Sequence, residues 1–229
     1  PQYTAKQFID ATRRGPNEKT WAVMKGKIDH KRRDGQRAKA PIRLGVRFTP
    51  DSALAKLKAG EEEYMVRQAY KREDATVTQL KKAPKGSILE TAGLRPDELT
   101  MSFLYWAFDK ETEKDSVKMV DCRVFDLKDA KTDETARVYI SEEHFFPLRV
   151  KFRKKGQEDF YRTMEIRDFE KKDGFWIVTS LRLYGPGWKT IVSFDDSRAG
   201  KVADGIPPDL FSELAPDDIT KALKALEKK

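Results

Sequence analysis

Apolar and polar residues alternate along much of this chain, which is the pattern expected of half-buried β-strands. Within residues 42–48, for example, every second side chain is large and apolar. A period of two places successive side chains on opposite faces of a strand. This alternation, together with β-branched and aromatic runs, predicts strands over residues 21–31, 39–48, 54–58, 63–70, 75–81, 116–127, 136–141, 148–154, 158–170, 175–184 and 188–195.

Short turn sequences separate many of these segments and predict that neighbouring strands pair antiparallel. In the predicted strand 175–184 both faces carry large groups, because Phe175 and Ile177 alternate with Trp176 and Val178. A sheet of this kind is covered on both faces or lines a cavity on one of them. The turn sequences that contain glycine lie at residues 34–35, 60, 155–156, 173–174 and 185–187.

Helical signals mark the beginning and the middle of the chain. Over residues 3–14, Thr4 and Gln7 form a capping box and Tyr3 can pack against Phe8. Gly-Pro at residues 15–16 ends this helix. A second, short helix is predicted over residues 97–106, since a proline at 96 and the acids after it favour a helix start. This segment is the most apolar cluster in the chain.

A third helix is predicted over residues 216–228, at the end of the chain. Its apolar residues have the spacing i, i+3, i+4, i+7, with acids at its start and lysines at its end. No internal repeat, low-complexity stretch or linker-like segment divides the sequence. We therefore expect residues 1–229 to form a single domain, with few helices and many strands.

The charge of the chain permits several interpretations. The net charge is +8, and its densest basic stretch, residues 25–39, surrounds the Asp-Gly turn at 34–35. This stretch has three interpretations: a solvated turn, a contact with anionic lipid headgroups, or a contact with nucleic acid. Elsewhere acidic residues are interspersed with basic ones, which argues against a phosphate-tracking stripe. We expect no nucleic-acid partner.

The sequence offers little chemistry for catalysis. His30 and His144 lie on unrelated segments without metal-ligand spacing, and no nucleophile-elbow, dinucleotide or P-loop motif occurs. Adjacent acids such as Asp195 and Asp196 point to opposite faces of an extended chain. Cys122 is the only cysteine, which excludes an internal disulfide and a cysteine metal cluster. We therefore predict no catalytic residues, no metal, no cofactor and no enzymatic activity.

Aromatic residues are concentrated in the second half of the chain. Ordinary core packing explains many of them, but a strongly curved sheet would leave some lining a groove for acyl chains. Each methylene exposed to water costs about 0.8 kcal/mol, so a long acyl chain costs on the order of 10 kcal/mol. No run approaches the roughly 18 apolar residues of a membrane helix. The chain begins at Pro1 and not at a methionine, so we expect the natural protein to begin upstream. Removal of a secretory signal and a simple truncation would leave the same first residue.

One segment of the chain has a distinctive sequence, Pro-Asp-Glu-Leu-Thr-Met-Ser-Phe-Leu-Tyr-Trp at residues 96–106. It is followed by segments at residues 122–127, 136–140, 146–150, 166–169, 173–176 and 205–211. In this order the segments resemble those of a known family, the outer-membrane lipoprotein-sorting proteins of the LolA-like superfamily. The likeness covers residues 96–211, about half of the chain, and the N-terminal helix with its hairpins fits the same architecture more loosely.

The resemblance implies a mainly β fold, in which a strongly curved antiparallel sheet forms a half-open barrel covered by helices. It further implies a periplasmic, monomeric protein, exported with a signal peptide that this chain lacks. Such a protein would bind lipid or lipoprotein acyl chains without catalysis, in lipoprotein sorting or envelope maintenance, with membrane-bound transfer partners. The helix over 97–106 would plug the concave face and move when lipid enters. The residues expected to line the apolar groove are Leu99, Phe103, Trp106, Phe125, Phe152 and Trp176.

Three alternatives to a lipid carrier stay open at this point. The first is a sensor or protein-interaction module of the same fold that transfers no lipid. The second is an enzyme hidden in the curved sheet, which would require a buried acid beside His144. The third is a nucleic-acid binder, which would require exposed aromatic residues beside the basic turn.

Overall fold

One antiparallel sheet of thirteen strands dominates the computed structural model, which describes residues 3–14 and 19–211. The helices are α1 (Ala5–Thr12) and α2 (Ile88–Ala92), with 3₁₀ helices at Pro96–Thr100, Ser102–Tyr105 and Val202–Asp204. The strands are β1 (Thr20–Arg32), β2 (Arg37–Phe48), β3 (Ser52–Ala59), β4 (Glu62–Ala69), β5 (Thr76–Lys81), β6 (Ala107–Glu111), β7 (Asp115–Val117), β8 (Val120–Lys128), β9 (Thr135–Ser141), β10 (Pro147–Arg153), β11 (Arg162–Lys172), β12 (Phe175–Gly185) and β13 (Trp188–Lys201).

The strand order is β5-β4-β3-β2-β1-β13-β12-β11-β10-β9-β8-β6, and β7 pairs with β8. Two consecutive meanders, β1 to β5 and β8 to β13, are thus joined by the pairing of β1 with β13. The two edges, β5 and β6, do not pair with each other in the described part of the chain, so the sheet stays open. The prediction of a mainly β fold built as a half-open antiparallel barrel is confirmed.

The glycine-containing turns form as predicted, but the strands differ at three places. Strand β6 was not predicted, the predicted strand 158–170 begins only at Arg162, and one further predicted strand is divided in two. Gly35, Gly60, Gly156 and Gly174 all have positive φ in hairpin turns. The predicted strand 116–127 is instead two strands, β7 and β8. A tight turn at residues 118–119 separates them, with φ of 51° at the first residue and 65° at the second. No glycine marks this turn, so the strand pattern runs through it unbroken.

The centre of the sheet contains a β-bulge that only glycine permits. The register of β1 against β13 shifts between Lys25 and Gly26, where Asp195 of β13 is the extra residue. A Cβ atom at Gly26 would lie 1.8 Å from the carbonyl oxygen of Ser193. A bulge of this kind bends its strand and increases the local twist. The bend therefore falls where the two meanders meet.

Helix α1 begins as the sequence predicts and packs on the main core. The backbone N–H of Thr4 donates to Gln7 Oε1 at 2.9 Å, and the N–H of Gln7 donates to Thr4 Oγ1 at 3.3 Å. The helix is shorter than the predicted 3–14. The rings of Tyr3 and Phe8 both contact Phe145, at centroid distances of 5.5 and 4.8 Å.

Two sequence predictions lie outside the described residues: the Gly-Pro stop at 15–16 and the C-terminal helix over 216–228. The last described residues pack on the sheet. Leu210 is buried, and Arg198 Nη2 donates to Asp209 Oδ2 at 2.8 Å. No helix in residues 3–14 and 19–211 is long and apolar enough to cross a membrane.

Candidate functional site

The concave face of the sheet is covered by a segment that we call the plug, residues 88–106. The single helix predicted over 97–106 is instead two 3₁₀ helices, because Met101 between them adopts a left-handed conformation with φ of 55°. Helix α2, which the sequence analysis missed, precedes them and ends at Gly93 with φ of 68°. The plug is therefore a chain of short turns rather than one continuous rod.

The structure brings five of the six predicted groove residues together. Phe103, Trp106, Phe125 and Phe152 are buried in the main core cluster, and Leu99 is half-buried against it. The Phe152 ring, which is fully buried, contacts those of Phe103 and Trp106 edge-on, at centroid distances of 5.9 and 6.1 Å. The plug thus inserts aromatic side chains directly into the floor of the concave face.

Trp176, the sixth predicted residue, lies elsewhere. Its side chain is 73% exposed, and it belongs to none of the core clusters of the described residues. The next residue, Ile177, is buried, and neighbouring residues of a strand point to opposite faces. The register of β11 and β12 shifts between Ser180 and Val178, and Val178, two residues after Trp176, packs against the main core. The sequence therefore did not show that this end of β12 leaves Trp176 exposed.

Two of the hollows among the described residues lie at opposite ends of β1. One, which we call the apolar hollow, has a volume of about 250 Å³ and lies between α1, the plug and the loop before β10. The other, the polar cavity, has a volume of about 480 Å³ and lies beside the start of the plug. The apolar hollow is lined largely by Phe48, Met101, Leu104, Tyr105, Phe145 and Phe146.

The apolar hollow is closed by contacts between α1 and the plug. Arg13 Nε and Nη2 donate to the carbonyl oxygens of Leu104 and Trp106, each at 2.6 Å. The ring of Tyr105 stacks on that of Tyr70 at 5.7 Å, and burial raises the pKa of Tyr105 to about 12. Burial raises the pKa of Tyr70 as well, so both hydroxyl groups stay neutral at physiological pH.

A buried ion pair holds the middle of the plug. Arg162, at the start of β11, forms a salt bridge with Glu98, and their side chains are only 5% and 3% exposed. Arg162 Nη1 also donates to the Gly93 carbonyl oxygen at 2.8 Å. Its guanidinium lies 4.2 Å from the centroid of the Phe152 ring. The charges of this pair are compensated within the protein, since water has little access to either group.

A second network attaches the start of the plug to the sheet. Arg95 donates from its two terminal nitrogens to both Glu134 oxygens, at 2.7 and 2.9 Å. The Tyr161 hydroxyl accepts from Arg95 at 2.7 Å and donates to Glu134 at 2.5 Å. Burial lowers the pKa of Arg95, but the hydrogen bonds to Glu134 and the negative charges nearby together outweigh it, and the net shift is upward. Arg95 therefore stays charged.

Neither network is predictable from the sequence, because its members are far apart along the chain. Arg162 and Glu98 are 64 residues apart, and Arg95 and Glu134 are 39. No local spacing links such residues before the fold is known. The remaining candidates for chemistry stay separate: in residues 3–14 and 19–211 no three His, Cys, Asp or Glu side chains are grouped to hold a metal ion.

Comparisons with known proteins identify the fold. No family model matches the chain, and a search of curated proteins finds no match either. Among solved structures, a DUF1329 family protein from Desulfovibrio piger matches with a TM-score of 0.66 and 14% identity, over 90% of this chain and 93% of that one.

Two further structures carry the same likeness. A domain named as an outer membrane lipoprotein-sorting protein, from Vibrio parahaemolyticus, has a TM-score of 0.62 and 12% identity, over 89% of this chain and 93% of that one. A LolA superfamily protein from Nitrosomonas europaea has a TM-score of 0.57 and 11% identity, over 93% of this chain and 99% of that one. Identities this low are evidence of fold alone.

Proposed function

From this LolA-like fold we propose that the protein binds an acyl chain of a lipid or lipoprotein on the concave face of its sheet, beneath a displaced plug. The observation that carries the proposal is the construction of the cover. An apolar floor with aromatic residues is covered by short helical turns, and an apolar hollow already lies beside the contacts between the plug and α1. The protein catalyses no reaction in this proposal.

The energetics favour such a container and require the plug to move. Sheltering a long acyl chain from water is worth on the order of 10 kcal/mol. The apolar hollow, at about 250 Å³, is smaller than the roughly 300–1,000 Å³ of typical ligand pockets. A chain that enters there must therefore displace Leu104 and Tyr105. We expect the plug to bend at Gly93 and Met101 when it is displaced. Both residues are left-handed and interrupt the helical hydrogen bonds of the plug.

The cellular role belongs to the same proposal. We infer a periplasmic protein that takes part in lipoprotein sorting or envelope maintenance and exchanges its ligand with membrane-bound partners. The support for this inference is the fold it shares with the Vibrio parahaemolyticus domain, which is named as a lipoprotein-sorting protein.

A sensor or protein-interaction module of the same fold is the second candidate. The observation that favours it is the edge strand β5, which pairs only with β4 among the described residues. Val77 and Leu80 on this strand are exposed. An exposed edge can accept a strand from a partner protein. A partner that co-purifies with lipid-free protein, and is lost when Val77 is replaced by proline, would support this candidate over the carrier.

A fluorescent fatty acid tests the carrier proposal. We expect saturable binding to the purified chain, weakened by Trp106→Ala because this side chain bridges the plug and the floor. Trp176→Ala is the matched control: it removes the same indole from an exposed site and should leave binding unchanged. Absence of saturable binding, or equal binding by Trp106→Ala and the unaltered chain, would overturn the proposal. Mass spectrometry of extracted material would identify a lipid that co-purifies.

A further inference from the structure

A basic end of the sheet plays no part in the proposals above. It is formed by the β1–β2 hairpin, whose residues 31–37 are all exposed, and by the β12–β13 turn beside it. The backbone N–H of Arg33 donates to the carbonyl oxygen of Gly187 at 2.7 Å, which holds the two turns together. The apolar hollow lies at the other end of β1, where Phe48 pairs with Thr20.

Three neighbouring strands place like charges directly opposite one another at this basic end. Lys31 of β1 pairs with Lys189 of β13 and with Arg37 of β2, and all three side chains are exposed. Neighbouring strands are about 4.8 Å apart, so the three residues form a row about 10 Å long. Like charges directly opposite each other destabilise a sheet. The register therefore concentrates positive charge here although the repulsion weakens the fold.

The row lies on the outer face of the sheet, away from the plug. His30 and Thr190, which precede Lys31 and follow Lys189, point the other way: His30 Nδ1 lies 2.8 Å from Thr190 Oγ1, and the Thr190 hydroxyl donates to the carbonyl oxygen of Ala92 at 2.7 Å. Neighbouring residues of a strand point to opposite faces. The acids of the plug are therefore on the other side of the sheet from the row.

Carboxylates of the described residues neutralise only part of the charge at this end. Asp29, two residues before Lys31, bridges Lys39 at 3.4 Å, and Asp34 in the turn lies 3.8 Å from Arg32. In residues 3–14 and 19–211 no carboxylate forms a salt bridge with the three cations of the row. We call the row, together with two further exposed cations of the hairpin, the basic patch: Lys31, Arg33, Arg37, Lys39 and Lys189.

The shape of the basic patch favours a charged surface over a strand of nucleic acid. Beyond Lys189 the row continues with the uncharged Tyr184 and Thr163, so the cations form a compact group and not a stripe. Single-stranded nucleic acid is bound with exposed aromatic rings on which bases stack. No aromatic side chain of the described residues on β1, β2 or β13 is exposed, and Trp188 beside the patch packs against Gly93.

We propose that the basic patch docks the protein on the surface of a membrane that contains anionic phospholipids. The positive patch is complementary to the negative charge of such a surface. Each Lys or Arg near the surface strengthens binding about fivefold, which corresponds to about 1 kcal/mol. The patch and the apolar hollow lie at opposite ends of β1, so docking does not depend on acyl-chain binding and either proposal can fail without the other.

Co-sedimentation of the full chain with lipid vesicles tests the proposal. We expect saturable binding to vesicles of phosphatidylcholine with 30% phosphatidylglycerol in 50 mM salt, little binding to phosphatidylcholine alone, and loss of binding in 500 mM salt because ions screen exposed charges. No binding to the mixed vesicles, or equal binding to both kinds, would overturn the proposal. It would also be overturned if a DNA oligonucleotide at equal phosphate concentration displaced the protein from the vesicles.

Two triple variants with the same change of charge locate the contact. Replacing each cation of the row by glutamine should weaken vesicle binding about a hundredfold, as three factors of about five predict. The matched control makes the same replacement at three exposed lysines near the other end of the sheet and should bind nearly as the unaltered chain does. Equal affinities of the two triple variants would overturn the proposal. The control positions are Lys19, Lys171 and Lys172.

A single variant distinguishes a docking role from a structural one. Lys31→Gln removes the central charge of the row, so it should weaken vesicle binding about fivefold and raise the urea midpoint by relieving the repulsion from Lys189 and Arg37. A lower midpoint, or unchanged vesicle binding, would contradict the proposal, because the charge would then serve the fold and not the membrane.

Discussion

Replacement of Glu98 by glutamine would remove the negative charge from the buried ion pair that fixes the plug. The substitution keeps the size of the side chain, and the amide oxygen can still accept from the backbone N–H of Arg95, whose nitrogen lies 3.0 Å from Glu98 Oε2. Arg162, only 5% exposed, would then lose the carboxylate that it contacts directly, and the more distant charge of Asp97 would be left to stabilise it. Breaking one partner of such a pair typically costs 3–5 kcal/mol.

The retained hydrogen bond places the expected loss at the lower end of that range, at about 3 kcal/mol of the free energy of unfolding. With a denaturant dependence of about 3 kcal/mol per molar urea, this loss lowers the urea midpoint by about 1 M. Far-ultraviolet circular dichroism and tryptophan fluorescence measure that midpoint. Trp106 in the plug also reports a local opening, if its signal changes before that of the sheet.

A double-mutant cycle separates the ion pair from its surroundings. Arg162→Met should destabilise the protein on its own, whereas adding it to Glu98→Gln should cost less than the sum of the two, because the unpaired charge disappears. Asp133→Asn is the matched control: its salt bridge to Lys155 is exposed, and the urea midpoint should not change. A midpoint for Glu98→Gln equal to that of this control would refute the reasoning.

Three further predictions concern stability. Phe152→Ala should cost about 3–5 kcal/mol in urea unfolding, because the ring is fully buried beneath the plug; Trp176→Ala should cost far less, and equal losses would contradict the packing described. Thr4→Ala removes the cap of α1 and should cost about 1 kcal/mol in the same assay, so an unchanged midpoint would count against the capping box. Because the pKa of His30 is lowered in the folded protein, the free energy of unfolding should decrease as pH falls below 6.5. In that range the unfolded chain binds a proton at His30 and the folded protein does not. Urea midpoints at pH 7.5 and 5.5 should differ less for His30→Asn than for the unaltered chain, and an equal difference would contradict this sign.

The sequence predicted the local features of the fold because they depend on neighbouring residues. Hairpins at Gly35 and Gly174 follow from the positive φ that glycine adopts easily. The capping box of Thr4 and Gln7 depends on two side chains three positions apart. Strand order could not be read in this way, since the pairing of Thr20 with Lys201 is set by the whole fold.

The candidate site was only partly predictable for the same reason. The apolar cluster around Phe103 is visible in the sequence and does lie in the core. Trp176 has the same apolar character but is exposed near the beginning of β12, and alternation alone does not say which apolar residues are covered. The polar cavity depends on His30, Arg95 and Trp188, which come from three distant segments. No sequence pattern connects them.

The pairing of β1 with β13 has a consequence for how the chain reaches its native state. Each meander can form from strands that are adjacent in sequence, but the central pair must wait until almost the whole described chain is present. Loop-closure entropy makes such distant pairings slow. A partly synthesised molecule therefore exposes β1 as an unprotected edge, and its assembly is completed in the middle of the sheet rather than at its margins.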